Sequence, residues 1–296
     1  MRVIRYIAPP AFAGKKLYSF LKGGAHLSSR LIRSLKQSEN GLLVNGVHAR
    51  TVDLLRAGDV ITVTIPDDTR SAVPGETLPQ VLFEDDDLLI VNKSALLPIH
   101  ESHNHQGDTL ANCVALHLQQ QGRAATFRAV GRLDKGTSGL VVCALNSHAA
   151  SCLAGKIQKT YLAVAEGVFT GSGTIDAPIF RPDPMKTLRT VDPRGDRAVT
   201  HWTALESDGR LTLLEIRLET GRTHQIRVHF ASLGAPLFGD RMYGTPQEAL
   251  PHQALHCARV EFCHPITGAR VDVQTPPPWD FHALCAAAAA ADAEKK

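Results

Sequence analysis

No uninterrupted apolar run in this chain is long enough to cross a bilayer as a helix, which excludes an α-helical integral membrane protein. The six cysteines, Cys113, Cys143, Cys152, Cys257, Cys263 and Cys285, include no Cys-x-x-Cys pair. Cys257, Cys263 and His264 cluster loosely at a spacing foreign to structural zinc sites, so neither a disulfide framework nor a metal is expected. The thiols read as buried and reduced. A secretory leader is missing as well: Met1-Arg2-Val3-Ile4-Arg5 opens like one, but Pro9-Pro10 and Lys15-Lys16 break the apolar segment it needs. The expected location is the cytoplasm. What is present suffices for one large or two modest domains: 296 residues, 44% of them hydrophobic, exclude a mostly disordered chain.

Acidic residues are absent before Glu39, while the same stretch carries Arg2, Arg5, Lys15, Lys16, Lys22, Arg30, Arg33 and Lys36. The formal net charge of the whole chain is only +3, so the excess is local. A local excess of this kind attracts a polyanion through phosphate contacts and counterion release, although a solvated basic face is the bland alternative. The surrounding pattern favours the first reading. Leu17, Phe20 and Leu21 fall at helical spacing. Ser28 or Ser29 caps a second helix that buries Leu31, Ile32 and Leu35 and turns Arg30, Arg33 and Lys36 outward. Leu42-Leu43-Val44 then runs into an Asn45-Gly46 hairpin turn, and Gly58-Asp59 precedes the β-rich run Val60 to Ile65. These features resemble the small RNA-binding domain named after ribosomal protein S-four, with Lys15, Lys16, Lys22, Arg30, Arg33 and Lys36 as its RNA-contacting residues.

Pro66 to Gly75 is rich in turn formers and reads as a linker. From Val81 to about His282, short β-rich runs mix with helical ones without the regular alternation of a doubly wound sheet, so the fold class is α+β. The expected organisation is an RNA-binding domain at 1–65, a linker at 66–78, a catalytic domain with a mixed, largely antiparallel sheet at 79–283, and an Ala-rich tail at 284–296, a frayed helix or disordered.

Chemistry concentrates in a few segments of the larger domain. Val81 to Lys93 is a hairpin with an acidic turn, Glu84-Asp85-Asp86-Asp87. Gly131-Arg132-Leu133-Asp134-Lys135-Gly136-Thr137-Ser138-Gly139 is a tight polar loop leading into the buried strand Leu140 to Leu145. It sets Asp134 at the mouth of a rigid element, where catalytic groups tend to sit; alone, such an Asp far more often merely caps its own turn. Lys159-Thr160-Tyr161 enters another strand. In Thr220-Gly221-Arg222-Thr223-His224-Gln225-Ile226-Arg227, helical spacing of Ile226, Phe230 and Leu233 puts Arg222, Thr223, His224 and Gln225 at a helix N-terminus. Cations there run against the helix dipole, which points to an anion brought from elsewhere.

In this order and spacing the segments resemble the RluA-type pseudouridine synthases, which isomerise uridine in ribosomal or transfer RNA. Gly239-Asp240-x-x-Tyr243-Gly244, Leu255-His256-Cys257-Ala258 and Phe262-x-His264-Pro265 agree as well. Gly131 and Ser94-Ala95-Leu96 depart from the family's usual pattern. The resemblance implies catalysis by Asp134, Tyr161 and Arg222, with Arg222 as the ion-pair partner that keeps Asp134 charged and Tyr161 packed on the uracil. It implies substrate contacts from Arg132, Thr137, Ser138, Lys159, Thr223, His224, Gln225 and Arg227. The isomerisation has no redox change, so no cofactor and no metal are expected. The expected partner is RNA, large-subunit ribosomal RNA ahead of tRNA, bound by a monomer away from any membrane. The rival readings are a non-catalytic RNA-binding or ribosome-assembly factor and a carboxylate-based N-glycosidase. The first does not account for Asp134, Tyr161 and Arg222 occurring together in one family pattern, and release of free uracil from RNA would separate the second.

Overall fold

The computed structural model describes residues 1–66, 72–102, 105–123 and 126–293. The basic N-terminal stretch builds a small unit: β1 (Arg2–Ile7), α1 (Leu17–Gly23), α2 (Ser29–Leu35), β2 (Leu42–Val44), β3 (Val47–His48) and β4 (Val60–Ile65). The strands form one sheet in the order β1-β4-β2-β3. As expected from the spacing, Leu17, Phe20, Leu21, Leu31, Ile32 and Leu35 are buried in a core of their own. Ser28 Oγ caps α2 by accepting the Leu31 N–H at 3.1 Å. Asn45 and Gly46 both take positive φ, 51° and 81°, the geometry a two-residue hairpin turn demands. Lys15, Lys16, Lys22, Arg30, Arg33 and Lys36 are all exposed. The edge strand β1 has no counterpart in the sequence reading.

The larger unit runs through β5 (Gln80–Glu84), β6 (Leu88–Lys93), α3 (Leu110–Gln120), β7 (Arg128–Ala129), β8 (Ser138–Ala144), α4 (Ser147–Leu153), β9 (Gln158–Glu166), β10 (Ser172–Asp176), β11 (Ile179–Phe180), β12 (Thr190–Val191), β13 (Val199–Ser207), β14 (Leu211–Leu218), α5 (Gln225–Ser232), β15 (Leu255–Cys263), β16 (Arg270–Gln274) and α6 (Phe281–Ala293). Its main sheet follows the order β10-β13-β14-β9-β15-β8-β6-β5, with β16 beside β15 and β7 beside β8. Only β8 and β15 pair in parallel, so the sheet is mixed and largely antiparallel, an α+β architecture.

Side-chain alternation gives the sheet two packed faces. Along β9, Tyr161, Ala163 and Ala165 join one core with Ile226 and Phe230 of α5, whereas Val164 joins another with Phe238, Trp279 and Leu284. The Ala-rich tail is therefore a docked helix through Ala293 rather than a frayed end, because Phe281, Leu284 and Ala288 supply an apolar stripe. Residues 294–296 lie outside the described part of the chain. In the linker, residues 67–71 also lie outside it, while Val73 and Gly75 are tied to α3: Asn112 Nδ2 donates to Val73 O at 2.8 Å and Gly75 N–H to Asn112 O at 3.0 Å. Among the described residues no helix is long and apolar enough to cross a membrane.

The acidic hairpin turn joins the two units. Arg2 of β1 reaches Asp87 with Nε at 2.9 Å and Nη2 at 2.8 Å, and Asn146 Nδ2 donates to the same carboxylate at 2.8 Å. Ile266 packs against the small unit's core. Asp85, Asp87 and His264 bring ligand-type atoms within 4.8 Å of one another. His264 Nδ1, however, accepts the N–H groups of Ile266 and Thr267, so the ring proton sits on Nε2, 2.9 Å from Asp85 Oδ2. With Asp87 already engaged by Arg2 and Asn146, this donor set suits an ion-pair junction rather than a cation.

Candidate active site

A cleft of about 880 Å³ opens over β9 and the N-terminal end of α5. Asp134 lines it from the loop between β7 and β8, together with Arg132, Tyr161, Arg222, His224 and Arg227. The two-residue period of a strand puts Lys159 and Tyr161 on the same face of β9. Gly131, at φ +80°, leaves room for Lys159: a Cβ at 131 would stand 3.0 Å from Lys159 Nζ. The lysine end group thus occupies the space that a side chain at 131 would need, which gives the sequence departure at Gly131 a steric setting.

The ion pair expected for Asp134 falls to a different arginine. Arg227 Nη1 lies 3.7 Å from Asp134 Oδ2, while Arg222 Nη1 lies 3.5 Å from Asp196 and Arg222 Nε donates to Arg197 O at 3.0 Å. The reason is local. Arg222 precedes α5 and stays at the exposed rim, whereas Arg227 lies on the helix and is directed inward, 5% exposed. Arg227 is also held from behind by Asp240, with Nε at 2.7 Å from Oδ2 and Nη2 at 2.8 Å from Oδ1. Burial works against the Arg227 charge, but Asp240 and Asp134 more than offset it and the guanidinium pKa is raised. Asp240 is fully buried; its desolvation is likewise overcome, by Arg227 and by the N–H groups of Met242 and Tyr243, and its pKa is lowered.

Tyr243 completes the support. Its ring lies 5.1 Å from the Arg227 guanidinium carbon, a cation–π contact. Its hydroxyl accepts the Arg189 N–H at 3.0 Å, leaving its proton for His224 Nδ1 at 2.8 Å. Burial lowers the His224 pKa, partly opposed by Asp134, so the ring is neutral near pH 7. Tyr161 is 6% exposed; burial, reinforced by nearby Cys257 and Asp134, pushes its hydroxyl well above the usual tyrosine range. It is a donor that keeps its proton.

Several residues expected to touch substrate have their polar atoms spent elsewhere. Thr137 accepts from Gln253 Nε2 at 3.0 Å, and Ser138, 1% exposed, pairs with His256 Nδ1 at 2.9 Å. Gln225 accepts from Thr220 Oγ1 and the Arg222 N–H and donates to Val199 O and Thr200 Oγ1. Thr137 and Gln225 are part of the cleft wall with these bonds already made. Arg132, Thr223 and His224 line the cleft as well, with Arg132 Nη2 3.5 Å from Thr223 Oγ1. Leu233, expected on the apolar face of α5, is instead its exposed cap.

Lys93 is the support that sequence reading passed over. It is 1% exposed and donates to the carbonyls of Ser94, Ala95 and Leu97, at 2.8, 3.2 and 2.9 Å. Burial pushes its pKa down to about 8, against an opposing pull from Asp134. Its only sequence signal was a cation closing an apolar strand. For Asp240 and Tyr243 the signal was the Gly239-Asp240-x-x-Tyr243 segment, which names no partner.

Comparisons with known proteins agree with this geometry. Residues 87–232 match the family model described as RNA pseudouridylate synthase. The RNA pseudouridine synthase YhcT of Bacillus subtilis is 39% identical over 281 residues, covering 92% of this chain and 93% of that protein. The ribosomal large subunit pseudouridine synthase D of Xanthomonas campestris is 37% identical over 281 residues, covering 88% and 84%. Among solved structures, the human RNA pseudouridylate synthase domain containing 1 superposes with a TM-score of 0.56 at 26% identity, covering 70% of this chain and 87% of its own.

Proposed function

The chain belongs to the RNA pseudouridylate synthase family and is an RNA uridine-to-pseudouridine isomerase, and we propose that its target is a uridine of large-subunit ribosomal RNA. In support, several relatives that match most of the chain bear the name ribosomal large subunit pseudouridine synthase D. The reading extends to a monomer working in the cytoplasm, with the small N-terminal unit as its S-four-like RNA-binding module. The six exposed lysines and arginines of that unit favour phosphate contacts.

In the cleft the target uridine leaves its stack, since Asp134 lines the cavity and a stacked base does not reach into it. The reaction breaks the bond between C1′ and N1 and forms one between C1′ and C5, and the hydrogen lost from C5 is balanced by one gained at N1. Asp134 supplies the carboxylate at the reacting sugar and base. Arg227, fixed by Asp240, stands 3.7 Å from that carboxylate and pairs with it. Tyr161 packs its ring on the uracil and offers its retained proton as a hydrogen-bond donor. His224, Arg132, Lys159 and Thr223 surround the nucleotide, and Arg222 at the rim meets a phosphate.

The observation that carries this reading is the row Asp134–Arg227–Asp240 in the cleft of a chain from this family. Asp134→Asn keeps the shape and removes the charge, so single-turnover pseudouridine formation should fall by several orders of magnitude. RNA affinity, measured on the same folded preparation, should change little. Near-normal turnover by the Asn variant would refute the assignment of Asp134.

A further inference from the structure

Asp134 begins a β-turn closed by the Thr137 N–H on the Asp134 carbonyl at 3.0 Å. Gly136 in that turn has φ +92°, which makes it type II; type I requires a negative φ there. The two types differ by a flip of the central peptide, here the Lys135 carbonyl and the Gly136 N–H. Glycine tolerates either state, so the turn residues alone do not choose between them.

Both ends of that one peptide are pinned. The Gly136 N–H donates to Ala95 O at 2.8 Å, in the segment whose carbonyls Lys93 holds. On the other side, Gln253 Nε2 donates to Lys135 O at 3.2 Å and to Thr137 Oγ1 at 3.0 Å. Gln253 is 4% exposed and lies two residues before the start of β15. Its amide lies against the Gly136 backbone closely enough that a Cβ at 136 would collide with Gln253 Oε1. With the glutamine amide in this place, position 136 has no room for a side chain.

We infer that Gln253 is a positioning residue, which sets the orientation of the Lys135–Gly136 peptide and through it the direction in which Asp134 meets Arg227 and the substrate. This rests on the role of Asp134 proposed above. Gln253 touches no reacting atom. Its removal leaves the Gly136 N–H on Ala95 O to hold the peptide from one end and so weakens the hold against a flip, and a catalytic group displaced by about 1 Å loses on the order of a hundredfold in rate.

The test uses Gln253→Met, which keeps volume without an amide, and Gln253→Glu, which keeps shape but when ionised cannot donate. Single-turnover rate at saturating RNA, RNA dissociation constant and folded fraction are measured together. The rate should fall ten- to a hundredfold per folded molecule while the dissociation constant stays within about twofold, a split that general loss of stability does not produce. A wild-type rate per folded molecule, or a change confined to RNA affinity, overturns the inference. If neither variant folds, hydrogen exchange in the intact protein decides: a locked peptide protects the Gly136 amide, and open-loop exchange there overturns it. An inactive Asp134→Asn variant beside a normal Gln253→Met variant sinks this inference alone, whereas an active Asp134→Asn variant sinks the functional reading beneath it.

Discussion

Arg222 and Arg227 illustrate what a residue's neighbours in space add to its place in the chain. Both belong to a motif rich in cations, and nothing in residue type separates them. Their surroundings do, since Arg227 is clamped by a fully buried carboxylate and Arg222 is bound to surface acceptors. Arg227→Gln should therefore cost stability as well as turnover. It strands Asp240 without its cation, and breaking a buried pair costs about 3–5 kcal/mol. Arg222→Ala should leave the single-turnover rate at saturating RNA nearly intact and weaken RNA affinity severalfold. Chemical denaturation and single-turnover assays on the two variants check both outcomes. An equal loss of turnover in the two would return Arg222 to the catalytic centre. Sequence order could single out Asp134 and Tyr161 through their motifs, but Asp240 and Gln253 act through folded contacts with other segments, Asp240 on Arg227 and Gln253 on Lys135 and Thr137, which no local spacing records.

At the scale of elements, legibility followed local rules. The Ser28 cap, the Asn45-Gly46 turn and the buried strand β8 could be read in advance because each is decided by neighbours within a few residues. The edge strand β1 escaped because Val3, Arg5 and Ile7 are exposed or only partly covered, so no clean apolar alternation marks it. The docking of α6 escaped because a run of alanines shows no contrast between faces until Phe238 and Trp279 arrive to meet it. The outward face of α2 carries the clearest functional expectation of an element. Replacing Arg30, Arg33 and Lys36 with Gln should lower RNA affinity and flatten its dependence on salt, by about 0.7–0.9 in logarithmic slope for each phosphate that is no longer neutralised. Rate at saturating RNA should not change. A salt slope identical to wild type would mean that this face meets no phosphate.

At the scale of the whole molecule, acid should act on the sheet itself. His256 of β15 is fully buried; its Nδ1 faces the Ser138 hydroxyl at 2.9 Å and its Nε2 faces Thr275 O at 3.2 Å, so the ring is held neutral. Burial pushes its pKa down to about 4, with a smaller opposing effect from Thr275. Between an unfolded value of about 6.5 and that folded value, only the unfolded chain takes up the proton. Stability is thus complete above pH 6.5 and falls as the pH drops toward 4, by about 3 kcal/mol from this group. Thermal unfolding from pH 7.5 to 4.5 checks the slope, and His256→Gln should flatten it. The strand that carries His256 has one more consequence, in time rather than in space. β15 lies between β9 and β8, although nearly ninety residues separate it from the end of β9. The middle of the sheet is its penultimate strand, so the segments that emerge first from the ribosome wait for a late one to join them. A chain ending at residue 250 should yield no folded catalytic unit, as judged by cooperative unfolding and protease resistance. A nascent chain that already holds Asp134, Tyr161 and Arg227 is consequently inert, and the activity of this enzyme begins only after β15 has been made.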